Sequence, residues 1–167
     1  LDRLRGFEGW WEHHVADFER LYCYDRFWTE SGAVPGGRNT RYLCCGTALV
    51  VVGDARGPFF TDAMAGVLAQ FRHQHFLLFL IAHFQKAALL MLRDRLVVAM
   101  TRMEIGDVES VRAFKRTIRH LKEIFLRFTH RYWFHEISDQ SLARDLYRMW
   151  AGQLGTDTLY DEVRQEI

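Results

Sequence analysis

The clearest pattern of apolar and polar positions lies between Asp107 and Trp133. Its apolar residues alternate at intervals of three and four, which is the buried seam of a long helix packed lengthwise on other helices. Asp107 can cap the start of this helix, and Glu109 lies in the first turn, where the helix dipole favours negative charge. The seam positions are Val111, Phe114, Ile118, Leu121, Phe125, Phe128 and Tyr132.

A second long helix is predicted from Asp62 to Met103, capped by Thr61 or Asp62, with only Gly66 to interrupt it. Its centre, FLLFLIAHF at 76–84, is apolar on all sides but shorter than the roughly 20 apolar residues that span a bilayer. We therefore expect this helix to be buried inside a bundle. A short turn at 104–106 would make the two long helices antiparallel.

Two shorter helices are predicted after Trp133. Ser138 or Asp139 can cap the first, and Gly155 is placed to end it. Its inward positions are Leu142, Leu146, Met149, Trp150 and Leu154. The segment from Thr158 to Asp161 resembles a capping box for the next helix, whose apolar stripe is Leu159, Val163 and Ile167.

Residues 1–60 have a different pattern, rich in aromatic residues. A helix is predicted from Phe7 to Tyr24, a loop at 31–40, and a β element at 41–54 that Gly46 divides into two strands or kinks as a bulge. A turn is expected at 55–60. The predicted fold is mainly α: long antiparallel helices in a bundle at 61–167, with a small β element near 41–53 in the segment 1–60.

Charge is uneven along a chain whose net charge is only +1. That net charge gives no overall attraction to nucleic acid, and we predict no nucleic-acid partner. A basic row off the helix seam could be a solvated face, meet the acidic C-terminal helices, touch anionic lipid headgroups, or dock a partner. The row comprises Arg112, Lys115, Arg116, Arg119 and Lys122. The three cysteines lack a CxxC spacing, which favours a reduced, cytosolic protein.

Candidate metal ligands lie close together after the basic helix. His135, Glu136 and Asp139 offer an imidazole and two carboxylates, and the two acids would share one face if the stretch were helical. Capping by Asp139 is the simpler explanation. His73 and His75 point about 200° apart on a helix and should not share an ion. No P-loop, HExxH or GxSxG motif is present, and we expect no enzymatic activity.

Two stretches, 71–96 and 128–163, resemble a proteobacterial branch of the CorA-like magnesium transporter family. The match rests on a pattern of spaced residues that contains no catalytic motif. These residues are Arg131–Phe134, Glu136, Gln140, Leu146, Trp150, Leu154–Thr156 and Leu159–Tyr160.

The resemblance implies the cytoplasmic part of a homopentameric Mg²⁺ or other divalent-cation transporter at the inner membrane. Its transmembrane helices and Gly-Met-Asn loop would follow Ile167, and residues 1–60 would be the remnant of an α/β subdomain. The helices would couple intracellular cation sensing to the pore. The alternatives are a soluble helical interaction module that docks through the basic row, and an enzyme built on His83, His130 and His135.

Overall fold

The computed structural model describes residues 14–26, 40–53, 55, 58–134 and 136–167. These residues are mainly helical, with one three-stranded antiparallel sheet, which confirms the predicted fold class. They form two compact units. The first contains the described residues up to Leu77 together with Arg148–Gln153, and the second contains Leu78–Tyr147 and Leu154–Ile167. The first unit therefore extends past the boundary expected at residue 60.

The first unit is built around the sheet. Helix α1 covers residues 14–22 and ends because β1 (Cys23–Arg26) follows at once, so the predicted helix to Tyr24 is too long. Strand β2 (Thr40–Cys45) pairs with β1 on one side and with β3 (Ala48–Gly53) on the other. Gly46 and Thr47 form the turn between β2 and β3. Of the two alternatives for this segment, two separate strands is correct.

A short helix and a turn precede the first long helix. Helix α2 (Pro58–Thr61) replaces part of the turn expected at 55–60. The Asp62 carboxylate accepts hydrogen bonds from the backbone N–H groups of Met64 and Ala65, so it caps a turn and does not begin the long helix. That helix begins after Gly66. A Cβ atom at Gly66 would lie 2.6 Å from the Phe59 carbonyl oxygen, which explains the glycine.

Helix α3 (Val67–Thr101) is continuous and contains one π-helical turn at Phe71–His75. His75, at the end of that turn, is 1% exposed and meets the ring of Tyr42 edge-on, within the first unit. By length and composition α3 is apolar enough to cross a membrane, a property it shares with core helices of soluble proteins. Only 33% of its most apolar window is buried, so α3 is less buried than expected for a helix inside a bundle.

The second unit is an antiparallel helical hairpin with a shorter helix packed across it. The hairpin consists of α3 from Leu78 onward and α4 (Val108–Tyr132). The packed helix is α6 (Thr156–Glu166). Their common core contains Leu89, Leu92, Leu96, Leu121, Phe125, Phe128, Leu159 and Val163. Burial of these side chains, each worth about 1.5–3 kcal/mol, holds the three helices together.

Local sequence features fix the ends of these helices. The Asp107 carboxylate accepts from the N–H groups of Glu109 and Ser110, which confirms it as the cap of α4. Helix α5 (Ser141–Leu154) ends at Gly155, whose φ of 65° is the left-handed conformation expected there. Helix α6 starts directly at Thr156. The predicted capping box at Thr158 is therefore wrong, because that residue already lies in the first turn.

Candidate interaction surface

Two of the predicted metal ligands, Glu136 and Asp139, lie between α4 and α5 in a segment that is not helical. Glu136 and Asp139 are exposed, and His135 lies outside the described residues. Because residues 136–140 are irregular, the condition that would align the two carboxylates on one helical face is not met. No group of three metal-ligating side chains occurs among the described residues. Ser138 accepts a hydrogen bond from the Gln140 N–H, which leads the chain into α5.

The histidines considered for chemistry do not converge. His73 is exposed and His75 is buried. The Nδ1–H group of His83 donates to the Phe79 carbonyl oxygen at 2.9 Å, and its ring lies on the Phe79 ring. His130 is exposed on α4. His83 is thus held as a helix-surface residue by its own preceding turn.

All five members of the basic row are exposed on α4. Arg112 pairs with Glu109 one turn earlier at 2.6 Å, with both side chains more than half exposed, so the pair adds little to stability. The acidic helix α6 makes its ion pair elsewhere, from Glu162 to Arg93 of α3 at 3.2 Å. The row therefore lies on an exposed face of the second unit.

A buried polar network joins three elements of the second unit. Gln85 is 1% exposed and donates through Nε2 to the Tyr132 carbonyl oxygen at 2.7 Å. The Tyr147 hydroxyl donates to Gln85 Oε1 at 2.5 Å and lies 3.2 Å from the Phe134 carbonyl oxygen. The network satisfies the Tyr132 carbonyl, which α4 leaves open at its end, and the Phe134 carbonyl two residues further on. It thereby fixes the path of the chain from α4 into the irregular segment.

Sequence analysis missed this network, although the sequence contains a sign of it. The buried positions of α3 in this unit are spaced at four and three like those of α4, and Gln85 is the polar residue in that series. A glutamine at a seam position needs hydrogen-bond partners inside the core. The full series is Leu78, Ala82, Gln85, Leu89, Leu92, Leu96 and Ala99.

The hairpin has a covered side and an open side. Arg93 faces α6 through its ion pair with Glu162. Met91 and Arg95 are each two positions from Arg93, which is about 200° around the helix, so they line the opposite side of α3. Two adjoining cavities form a groove along that open side. The first cavity has a volume of about 480 Å³ and lies between residues 84–92 of α3 and 124–132 of α4. The second has a volume of about 630 Å³ and lies between residues 94–103, at the end of α3, and residues 110–121 of α4.

A second set of exposed apolar side chains on α3 lies outside the groove. Leu90 and Val97 are 45% and 55% exposed, and neither lines the groove. They are seven positions apart and therefore lie on the same side of the helix, two turns from each other. We call these two residues the outward face of α3. Leu90 on this face and Met91 in the groove are adjacent and nearly equally exposed, so they provide a matched pair for mutation.

Comparison with known proteins gives no relative: no family model matches the sequence, and neither the curated proteins nor the solved structures contain a significant match.

Proposed function

We propose that this chain is the cytoplasmic part of a CorA-like divalent-cation transporter, and that its helical unit packs against the same unit of neighbouring subunits. The observation that carries the proposal is the outward face of α3, where the apolar side chains of Leu90 and Val97 are about half exposed in the second unit. A subunit of a homo-oligomer presents such a face when it is considered alone. The proposal also includes the coupling of intracellular cation sensing to a membrane pore.

The residues behind the family resemblance support the proposal through their packing. Trp133 stacks on Tyr160 with ring centres 4.4 Å apart. Leu146 and Thr156 are almost fully buried. The contact between Trp133 and Tyr160 joins the segment after α4 to α6. The resemblance therefore concerns the helical scaffold, and cation binding requires its own test.

Thermal unfolding in the presence of Mg²⁺ tests cation binding. At a Mg²⁺ concentration ten times the dissociation constant, binding to the folded chain stabilises it by about 1.4 kcal/mol. At about 2–4 °C per kcal/mol for a chain of this size, the melting temperature should rise by about 3–6 °C. Sodium chloride at equal ionic strength is the control. No difference between the two salts would contradict the proposal.

Substitutions then test the predicted ligands. Replacing Glu136 and Asp139 together by Gln and Asn keeps their size and removes their charge, so the Mg²⁺-dependent rise should disappear. Glu166→Gln, an exposed change on α6, is the control and should keep the rise. If the double variant keeps the full Mg²⁺ response, these two carboxylates are not the site, and the ion binds elsewhere.

The second candidate function is a soluble interaction module without a role in transport. The exposed basic row on α4 is the observation that favours it. Charge reversal at Arg116 and Arg119 should then abolish the capture of a partner by the immobilised chain, whereas Arg164→Glu on α6 should not. Equal capture by both variants would count against the module.

A further inference from the structure

The groove on the open side of the hairpin has an apolar floor. Met91 and Val98 of α3 contribute to it, and Ile124 and Phe128 of α4 lie across from them. Met91 is 43% exposed and Val98 is 39% exposed, so the floor is accessible from outside. A ligand that fills this groove must therefore bring apolar side chains.

The rim of the groove is basic. Its ionisable side chains are three arginines, one histidine and one aspartate: Arg95, Arg102, Arg127, His120 and Asp94. Arg127 pairs with Glu123 at 2.6 Å, but both side chains are more than half exposed. Such a pair is worth about 0–1 kcal/mol, so Arg127 can exchange its partner at little cost. The rim thus favours acidic groups beside an apolar strip.

The dimensions of the groove match a helix. The lining residues of α3 run from Phe84 to Ala99, which at 1.5 Å per residue is about 23 Å, and Arg102 and Met103 continue the lining just past the end of the helix. A helix of about 16 residues has the same length. Packed helices lie about 8–10 Å apart with side chains in one another's grooves. An extended strand would place unpaired backbone groups against the apolar floor, which is unfavourable.

From this combination we infer that the groove binds an amphipathic helix of another protein, with an apolar strip flanked by Asp or Glu. The strip would pack between α3 and α4 over Met91, Val98 and Ile124, and the flanking acids would pair with Arg95, Arg102 and Arg127. This mode is the helix-in-groove type of recognition. It uses a different side of α3 from the outward face proposed for subunit contacts, so the two are independent.

Three labelled peptides of equal length test the inference by fluorescence anisotropy with the full chain. The first has leucines at helical spacing of three and four with Glu on both flanks. The second has Lys in place of every Glu, and the third has the composition of the first in an order without an apolar face. We expect the acidic amphipathic peptide to bind at least tenfold more tightly than either of the others. Its affinity should fall as salt rises.

Variants of the chain locate the site. Met91→Glu should weaken the acidic peptide at least tenfold, while Leu90→Glu, a change of the same kind on the outward face, should leave binding unchanged. The double change Arg95→Glu and Arg102→Glu should reverse the preference and favour the Lys peptide. Circular dichroism spectra that match the unsubstituted chain establish that each variant is folded.

Several results would overturn the inference. Equal binding of the Glu and Lys peptides, or of the peptide without an apolar face, would remove the basis for an acidic helical partner. If Met91→Glu converts a self-associated chain into a monomer, the groove is occupied by a second copy. If the chain binds phosphatidylserine vesicles and Met91→Glu abolishes that binding, the groove faces a membrane. If the chain shows no Mg²⁺ response, or does not assemble through Leu90, the proposed transporter role is contradicted, but the binding of a helix in the groove is not.

Discussion

Replacing Tyr147 by Phe removes the hydroxyl that connects α5 to α3 and to the segment after α4. This hydroxyl has one proton, and two carbonyl-type oxygens accept it: Gln85 Oε1 at 2.5 Å and the Phe134 carbonyl at 3.2 Å. Tyr147 is 3% exposed and Gln85 is 1% exposed, so water does not easily replace the lost donor. A buried acceptor left unsatisfied costs about 1–3 kcal/mol.

Taking about 2 kcal/mol for this loss, the melting temperature should fall by about 4–8 °C at the 2–4 °C per kcal/mol of a chain this size. Tyr160→Phe is the matched control. Its hydroxyl lies 3.4 Å from Thr129 Oγ1, a long contact that is only partly buried. Urea unfolding followed by far-UV circular dichroism measures both changes in free energy. Equal costs for the two variants would refute the importance of the network.

A double-mutant cycle separates the network from simple loss of packing. Gln85→Leu alone should be destabilising because it removes the nearer acceptor of the Tyr147 hydroxyl and the donor to the Tyr132 carbonyl. In the double variant with Tyr147→Phe both partners are apolar, so the combined cost should be smaller than the sum by about 0.5–3 kcal/mol. Strict additivity would mean that the two side chains do not interact in solution.

The same residue predicts a dependence on alkaline pH. Burial raises the pKa of Tyr147 and the charge of Asp157 adds to the rise, while the hydrogen bond with Gln85 acts in the opposite direction. The folded chain therefore holds this proton at pH values where the unfolded chain has released it. The stabilisation is present below the ordinary tyrosine pKa of about 10 and is lost as pH rises above it. Tyr147→Phe should lose less stability over that range.

Three further tests by substitution concern individual features of the fold. Gly66→Ala should destabilise the chain by about 1–3 kcal/mol because the added Cβ would meet carbonyl oxygens of the preceding turn. Gly152→Ala, in open space on α5, should instead stabilise it by about 0.5–1 kcal/mol. Urea unfolding should show changes in the free energy of unfolding with opposite signs for the two variants. Asp107→Ala should cost about 0.5–2 kcal/mol as the cap of α4 is lost, and no change would refute the cap. Burial raises the pKa of the Cys44 thiol to about 12, whereas hydrogen bonds with Thr47 lower that of Cys45. Cys45 should therefore react with a thiol reagent before Cys44 does. Loss of the faster of these two phases in Cys44→Ser, with its retention in Cys45→Ser, would contradict this order.

The helical part of the fold could be predicted because its information is local. The spacing of Leu121, Phe125 and Phe128 identifies a buried seam, and Asp107 and Gly155 are placed where a cap and a helix end require them. Each of these features depends on residues within one or two turns. That is why the bounds of α4 and α5 agree closely with expectation.

The start of α3 and the strand β1 could not be predicted in the same way. Gly66 begins α3 because the carbonyl oxygen of Phe59 comes close to it, which is a contact between elements. Cys23–Arg26 becomes a strand by pairing with β2, in a register that places Tyr24 opposite Tyr42. Local sequence favoured continuing the preceding helix. In both cases a contact with another element, and not the local sequence, determines where the helix begins or ends.

The candidate surface was predictable only in part. The exposed basic row follows from the seam, because residues off an apolar stripe face away from the core. The groove does not follow, since it depends on which side of the hairpin α6 covers. Leu159 and Val163 have the pattern of a core-facing helix, but that pattern does not specify the side on which they pack. The apolar centre of α3 predicts burial, but several of its large side chains, such as Leu80 and Phe84, are about half exposed.

Sedimentation velocity with and without millimolar Mg²⁺ tests the proposed assembly most directly. The account predicts that the chain sediments as a homo-oligomer in Mg²⁺ and dissociates in a chelator. Leu90→Glu should be a folded monomer in both buffers, and Met91→Glu should still assemble. A monomer in both buffers for the unsubstituted chain, or assembly that Leu90→Glu leaves unchanged, would contradict subunit contact through the outward face of α3.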